Sequence, residues 1–82
     1  MTLGQEKMNE LYAKNYRPCV GYVLKHGGNK SDAEDNYQDT WISLLAALNN
    51  GKEIENISGF IWGINKHLWS SFTKLRQKGD FD

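Results

Sequence analysis

Two rows of side chains in this chain have the types and the spacing to do chemistry. Trp62, Lys66, Trp69, Thr73 and Arg76 recur every three or four residues, so a helix would line them along one side. Tryptophan rings offer broad π faces on which unstacked bases stack, at roughly 1–3 kcal/mol per base. Lysine and arginine between them neutralise phosphates and release counterions. Interleaved rings and cations suit single-stranded or flipped-out nucleotides better than duplex grooves. The alternative is that either tryptophan belongs to a second core seam, packed on another helix. Lys74, Arg76 and Lys78 also have a plainer use, because cations in a last turn complement the helix dipole.

The second row, Asp35, Gln38, Asp39 and Ile42, has i, i+3, i+4, i+7 spacing. A polar row flanking one apolar residue suits protein docking; the alternative is a solvated helix face. Asp35 and Asp39 could share a metal ion, but the sequence places no third ligand, so no metal site is expected. Nor is catalysis. His26 and His67 have no nucleophile or ligand partner at a useful spacing, and there is no glycine-rich phosphate loop or nucleophile elbow. No cofactor is implied.

The elements that must position these rows follow from periodicity and punctuation. The first helix is predicted over about residues 5–26, with Met8, Leu11, Tyr12, Tyr16, Cys19, Val20, Val23 and Leu24 at helical spacing. Pro18 inside this pattern predicts a kink or break near Tyr16–Arg17, and Gly27-Gly28-Asn29 ends it. The second helix is predicted over 32–49. Ser31 and Glu34 read as its capping box, Ala33, Tyr37, Trp41, Leu44 and Leu48 as its apolar stripe, and Asn49-Asn50-Gly51 as its stop. Trp41 reads as core. The third is predicted over 57–78, capped by Asn56 or Ser58. Ile57, Ile61, Ile64, Leu68, Phe72 and Leu75 share one face, which reads as core. No strand pattern occurs. The fold class is therefore all-α, a compact bundle of three to four helices in one domain spanning 1–82.

Composition narrows the function classes. The 82 residues carry zero formal net charge, with 24% charged and 39% hydrophobic residues, so whole-chain charge does not announce a nucleic-acid partner. Its distribution says more. Asp32, Glu34, Asp35, Asp39, Glu53 and Glu55 stand against Lys52 in the middle, and residues 56–79 hold Lys66, Lys74, Arg76 and Lys78 with no acid. Cys19 stands alone and reads as a small buried apolar residue. No signal peptide or membrane span is legible, so a cytoplasmic location, away from any membrane, is expected.

Taken together, three runs resemble the second conserved region of bacterial RNA polymerase sigma factors, in the extracytoplasmic-function group. Leu11-Tyr-Ala-Lys-Asn-Tyr-Arg-Pro-Cys-Val20 resembles that family's opening helix. Asp32-Ala-Glu-Asp-Asn-Tyr-Gln-Asp-Thr-Trp-Ile42 is similar to its acidic motif. Gly59-Phe-Ile-Trp-Gly-Ile-Asn-Lys-His-Leu68 resembles its tryptophan-containing melting helix, with Lys74–Lys78 as the basic end.

The resemblance implies that Asp35, Gln38, Asp39 and Ile42 dock on the clamp helices of the polymerase largest subunit. It implies that Asn50, Lys52, Asn56, Trp62, Lys66, Trp69, Lys74, Arg76 and Lys78 recognise the promoter −10 element and hold its melted, single-stranded non-template DNA. The polymerase would supply all catalysis. Lys66-His67 stands where many members carry Arg-Asn, and Ser71 where they often carry Asp. A complete factor also has a C-terminal helix-turn-helix domain that reads the −35 element; ending at Asp82, the chain reads as a piece lacking that domain or as a divergent relative. The expected state is a monomer. A rival expectation from another class is a sigma-like interaction module that binds an anti-sigma factor and no DNA.

Overall fold

The structure, a computed structural model, describes residues 4–79, and side chains through residue 75. Three helices account for it: α1 (Gln5–Lys25), α2 (Lys30–Asn49) and α3 (Ile57–Gly79). Each packs on both others. Contacts between α1 and α3 rise together in number (Asn15 with Ser58, Cys19 with Asn65, His26 with Trp69), so these helices run parallel. Tyr37 meets Tyr12, and Asn36 meets Asn65, so α2 runs back between them.

The turns obey local chemistry. α1 ends at His26; Gly27 follows at φ 93°, and the Gly28 N–H donates to the Val23 carbonyl. This six-to-one closure demands the left-handed backbone that glycine adopts without strain. Gly28 is required for a different reason: a Cβ there would overlap Val23 and the Trp69 ring. The same closure recurs after α2, with Gly51 at φ 82° and the Lys52 N–H on the Ala47 carbonyl.

α1 runs continuously through Pro18, so of the kink or break expected near Tyr16–Arg17 the break does not occur. The amide that Pro18 lacks would have served the Lys14 carbonyl, and both residues are exposed, where water replaces the lost donor. One expectation about a helix end needs correction: the box that caps α2 is Asn29 with Asp32, not Ser31 with Glu34. Asn29 Oδ1 accepts from the Asp32 N–H at 2.8 Å, and the Asn29 N–H donates to Asp32 Oδ2 at 3.1 Å. The chain leaves Gly28 extended at Asn29, so the cap falls there and the helix begins at Lys30. Glu34 is thereby released from capping. Its Oε2 accepts the Tyr16 hydroxyl at 2.9 Å, and this bond raises the Tyr16 phenol above its ordinary range. At α3, Asn56 Oδ1 accepts from the Gly59 N–H at 3.0 Å, which decides the cap between Asn56 and Ser58.

The core gathers Leu11, Cys19, Val20 and Val23 from α1, Ala33, Tyr37, Trp41 and Leu44 from α2, and Ile61 and Trp69 from α3. Burial pushes the Cys19 thiol up to about 11, which keeps it a protonated apolar residue near neutral pH. Of the apolar α1 positions at helical spacing, Tyr12 and Leu24 are exposed.

On α3 the buried face is displaced from the predicted one. Ile61, Asn65 and Trp69 are buried, Ile57, Ile64 and Leu68 lie half-buried at its edge, and Phe72 and Leu75 are exposed. At 100° per residue this is a rotation of about 60°. Trp69 marks where the bundle ends: its indole N–H donates to the carbonyl of His26, the last residue before the α1–α2 turn. Beyond it α3 outruns α1, so Leu75 has no α1 residue to cover it.

Asn65 sits at the centre, fully buried, and touches every helix. Its Nδ2 donates to the Cys19 carbonyl of α1 at 3.1 Å. Its Oδ1 accepts from Asn36 Nδ2 at 3.0 Å and from the Thr40 hydroxyl at 3.3 Å, both on α2. Asn36 Nδ2 also reaches the Asn65 carbonyl at 3.0 Å, and the Thr40 hydroxyl reaches the Asn36 carbonyl at 2.8 Å. A satisfied polar node of this kind fixes helix register more sharply than apolar contact, because any slip orphans several buried groups at once.

Candidate docking and nucleic-acid faces

The α2 row comes out as the spacing predicts. With Ala33, Tyr37, Trp41 and Leu44 turned inward, Asp35, Gln38, Asp39 and Ile42 all lie on the exposed side, Ile42 at 65% exposure. Among the described residues neither Asp35 nor Asp39 forms an ion pair. Their charges are therefore available to a partner. Asp32, Asp35 and Asp39 also edge a cleft of about 280 Å³ whose far wall is Leu68, Trp69 and Phe72 of α3. Acidic groups beside an apolar trough are chemically suited to a helix that carries both cations and apolar side chains.

The α3 row is reorganised. Trp62 keeps 37% exposure, while Trp69 keeps 4%. Trp69 therefore cannot offer its face to a base: it closes the core beneath Gly28. Thr73 bonds its own helix through the Ser70 carbonyl. The predicted continuous stripe reduces, among the described side chains, to Trp62 and Lys66, whose Nζ lies 5.7 Å from the Trp62 ring centroid.

The remaining predicted nucleic-acid residues fall in separate places. Asn50 and Lys52 are exposed at the α2–α3 loop, and Lys52 Nζ sits 5.0 Å over the Phe60 ring. Asn56 is exposed, but its Oδ1 is committed to the helix cap. Along the α3 axis Trp62 and Lys66 stand about 9 and 15 Å beyond Asn56, at 1.5 Å per residue. Lys74 is exposed two turns further on. The side chains of Arg76 and Lys78 lie outside the described residues.

Sequence reasoning missed Tyr22, which the fold brings to Trp62, and His26, which packs on Tyr22. The Tyr22 ring meets Trp62 edge-on, with centroids 5.4 Å apart and planes at 76°. His26 stacks on Tyr22 at 4.1 Å. Lys66 Nζ also lies 6.0 Å from the Tyr22 centroid. A signal was present, since Tyr22 and His26 are spaced i, i+4 on the last turns of α1. The contact with α3 depends on helix packing and has no local signature.

The bundle is thus a three-helix module with an acidic, unpaired face on α2 and an aromatic–cationic corner between α1 and α3. Its family is that of sigma-70 region 2: the family model matches residues 11–79 of the 82, and the chain belongs to it. Membership supports a sigma factor role in transcription initiation, in which region 2 works with RNA polymerase core and promoter DNA in general. No curated protein and no solved structure matches the chain. Among the described residues no helix is long and apolar enough to cross a membrane.

Proposed function

We propose that this domain docks on the clamp helices of the polymerase largest subunit through α2. In the same reading it recognises and melts the promoter −10 element through α3 and the loop before it, as in the extracytoplasmic-function group. The observation that carries the reading is the exposed, ion-pair-free row Asp35, Gln38, Asp39 and Ile42, lying on a helix inside the family match. Carboxylates there steer a basic partner and set register, and Ile42 contributes apolar area. Trp62 and Lys66 hold the displaced strand, while Asn50, Lys52, Asn56 and the cations Lys74, Arg76 and Lys78 track its backbone. The domain acts by binding alone, as a cytoplasmic monomer without metal or cofactor.

Calorimetric titration with a clamp-helix fragment tests the docking step. Wild-type protein is expected to bind saturably. Asp39→Ala should weaken that binding about tenfold, the loss typical of a central polar contact. Saturable binding unchanged in Asp39→Ala would move the contact off this row, and no binding by folded wild-type protein would overturn the docking step.

One observation favours a second reading, an interaction module that binds an anti-sigma factor and no DNA. Trp69 is packed away, which halves the aromatic surface first expected of α3. Under that reading single-stranded DNA leaves the tryptophan fluorescence unchanged.

A further inference from the structure

We infer that Tyr22 and His26 of α1 complete a nucleotide-binding corner with Trp62 and Lys66 of α3, one that takes a single unpaired base and its phosphate. The inference rests on the DNA-binding reading above and adds α1, which that reading leaves out.

The geometry is that of a corner. The Tyr22 and Trp62 rings stand at 76° with centroids 5.4 Å apart, so their planes form two walls. Lys66 Nζ stands against both, 5.7 Å from the Trp62 centroid and 6.0 Å from the Tyr22 centroid. It is the terminal atom of an exposed side chain, and in cation–π contact with both rings it is held in place by little energy. A phosphate can draw it outward while a base takes the ring face it leaves. Trp62, 37% exposed, offers the stacking face.

His26 has a positioning role. Its ring stacks on Tyr22 at 4.1 Å, and its Nδ1 donates to the Tyr22 carbonyl at 2.7 Å. A carbonyl only accepts, so Nδ1 carries the proton. The imidazole thus backs the Tyr22 ring and keeps it edge-on to Trp62. The stability role of His26 is separate, because the bond from the Trp69 indole lands on its backbone carbonyl. A side-chain substitution at His26 therefore leaves that bond in place. Stacking is tolerant of base identity, so the corner needs an unstacked base and no particular sequence.

The test uses the full 82-residue chain and fluorescein-labelled (dT)12 and (dA)12, with a duplex of equal length as comparison. Trp62 is the exposed one of the three tryptophans, so quenching of intrinsic fluorescence reports on the corner. Tyr22→Leu should weaken single-strand binding about fivefold, the factor that corresponds to losing the second aromatic wall beside the stacked base. His26→Ala should weaken it less, and His26→Phe should restore it by keeping a ring behind Tyr22. Thermal melting of each variant must match wild type for the comparison to count; should Tyr22→Leu melt early, Tyr22→Phe against His26→Ala and His26→Phe carries the test. If Trp62→Ala and Lys66→Ala lose binding while Tyr22→Leu and His26→Ala bind as wild type, the corner is overturned and the DNA-binding reading stands. If wild-type protein binds neither single strand, or binds duplex better, both are overturned.

Discussion

Trp69→Ala will cost this domain most of its stability, and Trp62→Ala will cost it almost none. Truncating a fully buried tryptophan typically loses 3–5 kcal/mol. Here the cavity would open beneath Gly28 and beside Val23, and the His26 carbonyl would lose its indole donor. At 0.05–0.15 kcal/mol per residue, a chain of this length has only about 4–12 kcal/mol in total. A domain of 60–100 residues loses about 4–8 °C per kcal/mol, so the melting temperature should fall by roughly 12–40 °C. Far-ultraviolet circular dichroism during heating measures this directly. Trp62→Ala removes a ring that is partly solvated, and its melt should lie within a few degrees of wild type. Single-strand binding should reverse the order: Trp62→Ala loses it at a temperature where the protein is folded, and Trp69→Ala retains it until the fold gives way. Equal destabilisation by the two substitutions would refute the assignment of Trp69 to the core and Trp62 to the surface.

The contrast between these tryptophans marks where sequence reasoning about α3 stops. Both lie on one i, i+7 row, and nothing local separates them. The difference arises from the partner helix: Trp69 meets the end of α1 at the Gly27-Gly28 turn, while Trp62 meets Tyr22 one turn earlier. The buried face lies about 60° from the predicted one because its centre, Asn65, is polar, while the apolar Ile64 and Leu68 lie at its edge. A buried asparagine is readable only when its partners are known, and Asn36 and Thr40 are 29 and 25 residues away.

The α2 face was legible for the opposite reason. Its apolar stripe is uninterrupted, so Asp35, Gln38, Asp39 and Ile42 could only face outward, and they do. Even there the cap shifted from Ser31 to Asn29, since the sequence allows both and the extended exit from Gly28 selects one. The three helices themselves follow from punctuation at Gly27, Gly28 and Gly51, where glycine answers a steric demand that other residues meet at a cost.

The same node sets the second large effect. Asn65→Asp changes no volume, yet it should destabilise the domain by about 3–5 kcal/mol near neutral pH, the scale of an uncompensated buried charge. The amide donates through Nδ2 to the Cys19 carbonyl and accepts through Oδ1 from Asn36 and Thr40. An ionised carboxylate keeps the acceptor half and turns its second oxygen on the Cys19 carbonyl, with no solvent at a fully buried site. Burial raises the folded-state pKa of the introduced carboxyl above its unfolded value near 3.9. A raised folded pKa means the folded state holds its proton more tightly. The contribution of the neutral acid is therefore fully present below the unfolded pKa, where its O–H can donate to Cys19. It is lost as pH rises through the folded pKa. Urea unfolding of wild type and Asn65→Asp at neutral and mildly acidic pH should show a gap that narrows on acidification. A gap under about 1 kcal/mol at neutral pH, or one that ignores pH, would mean that water reaches the node and that the three helices are held by apolar packing alone.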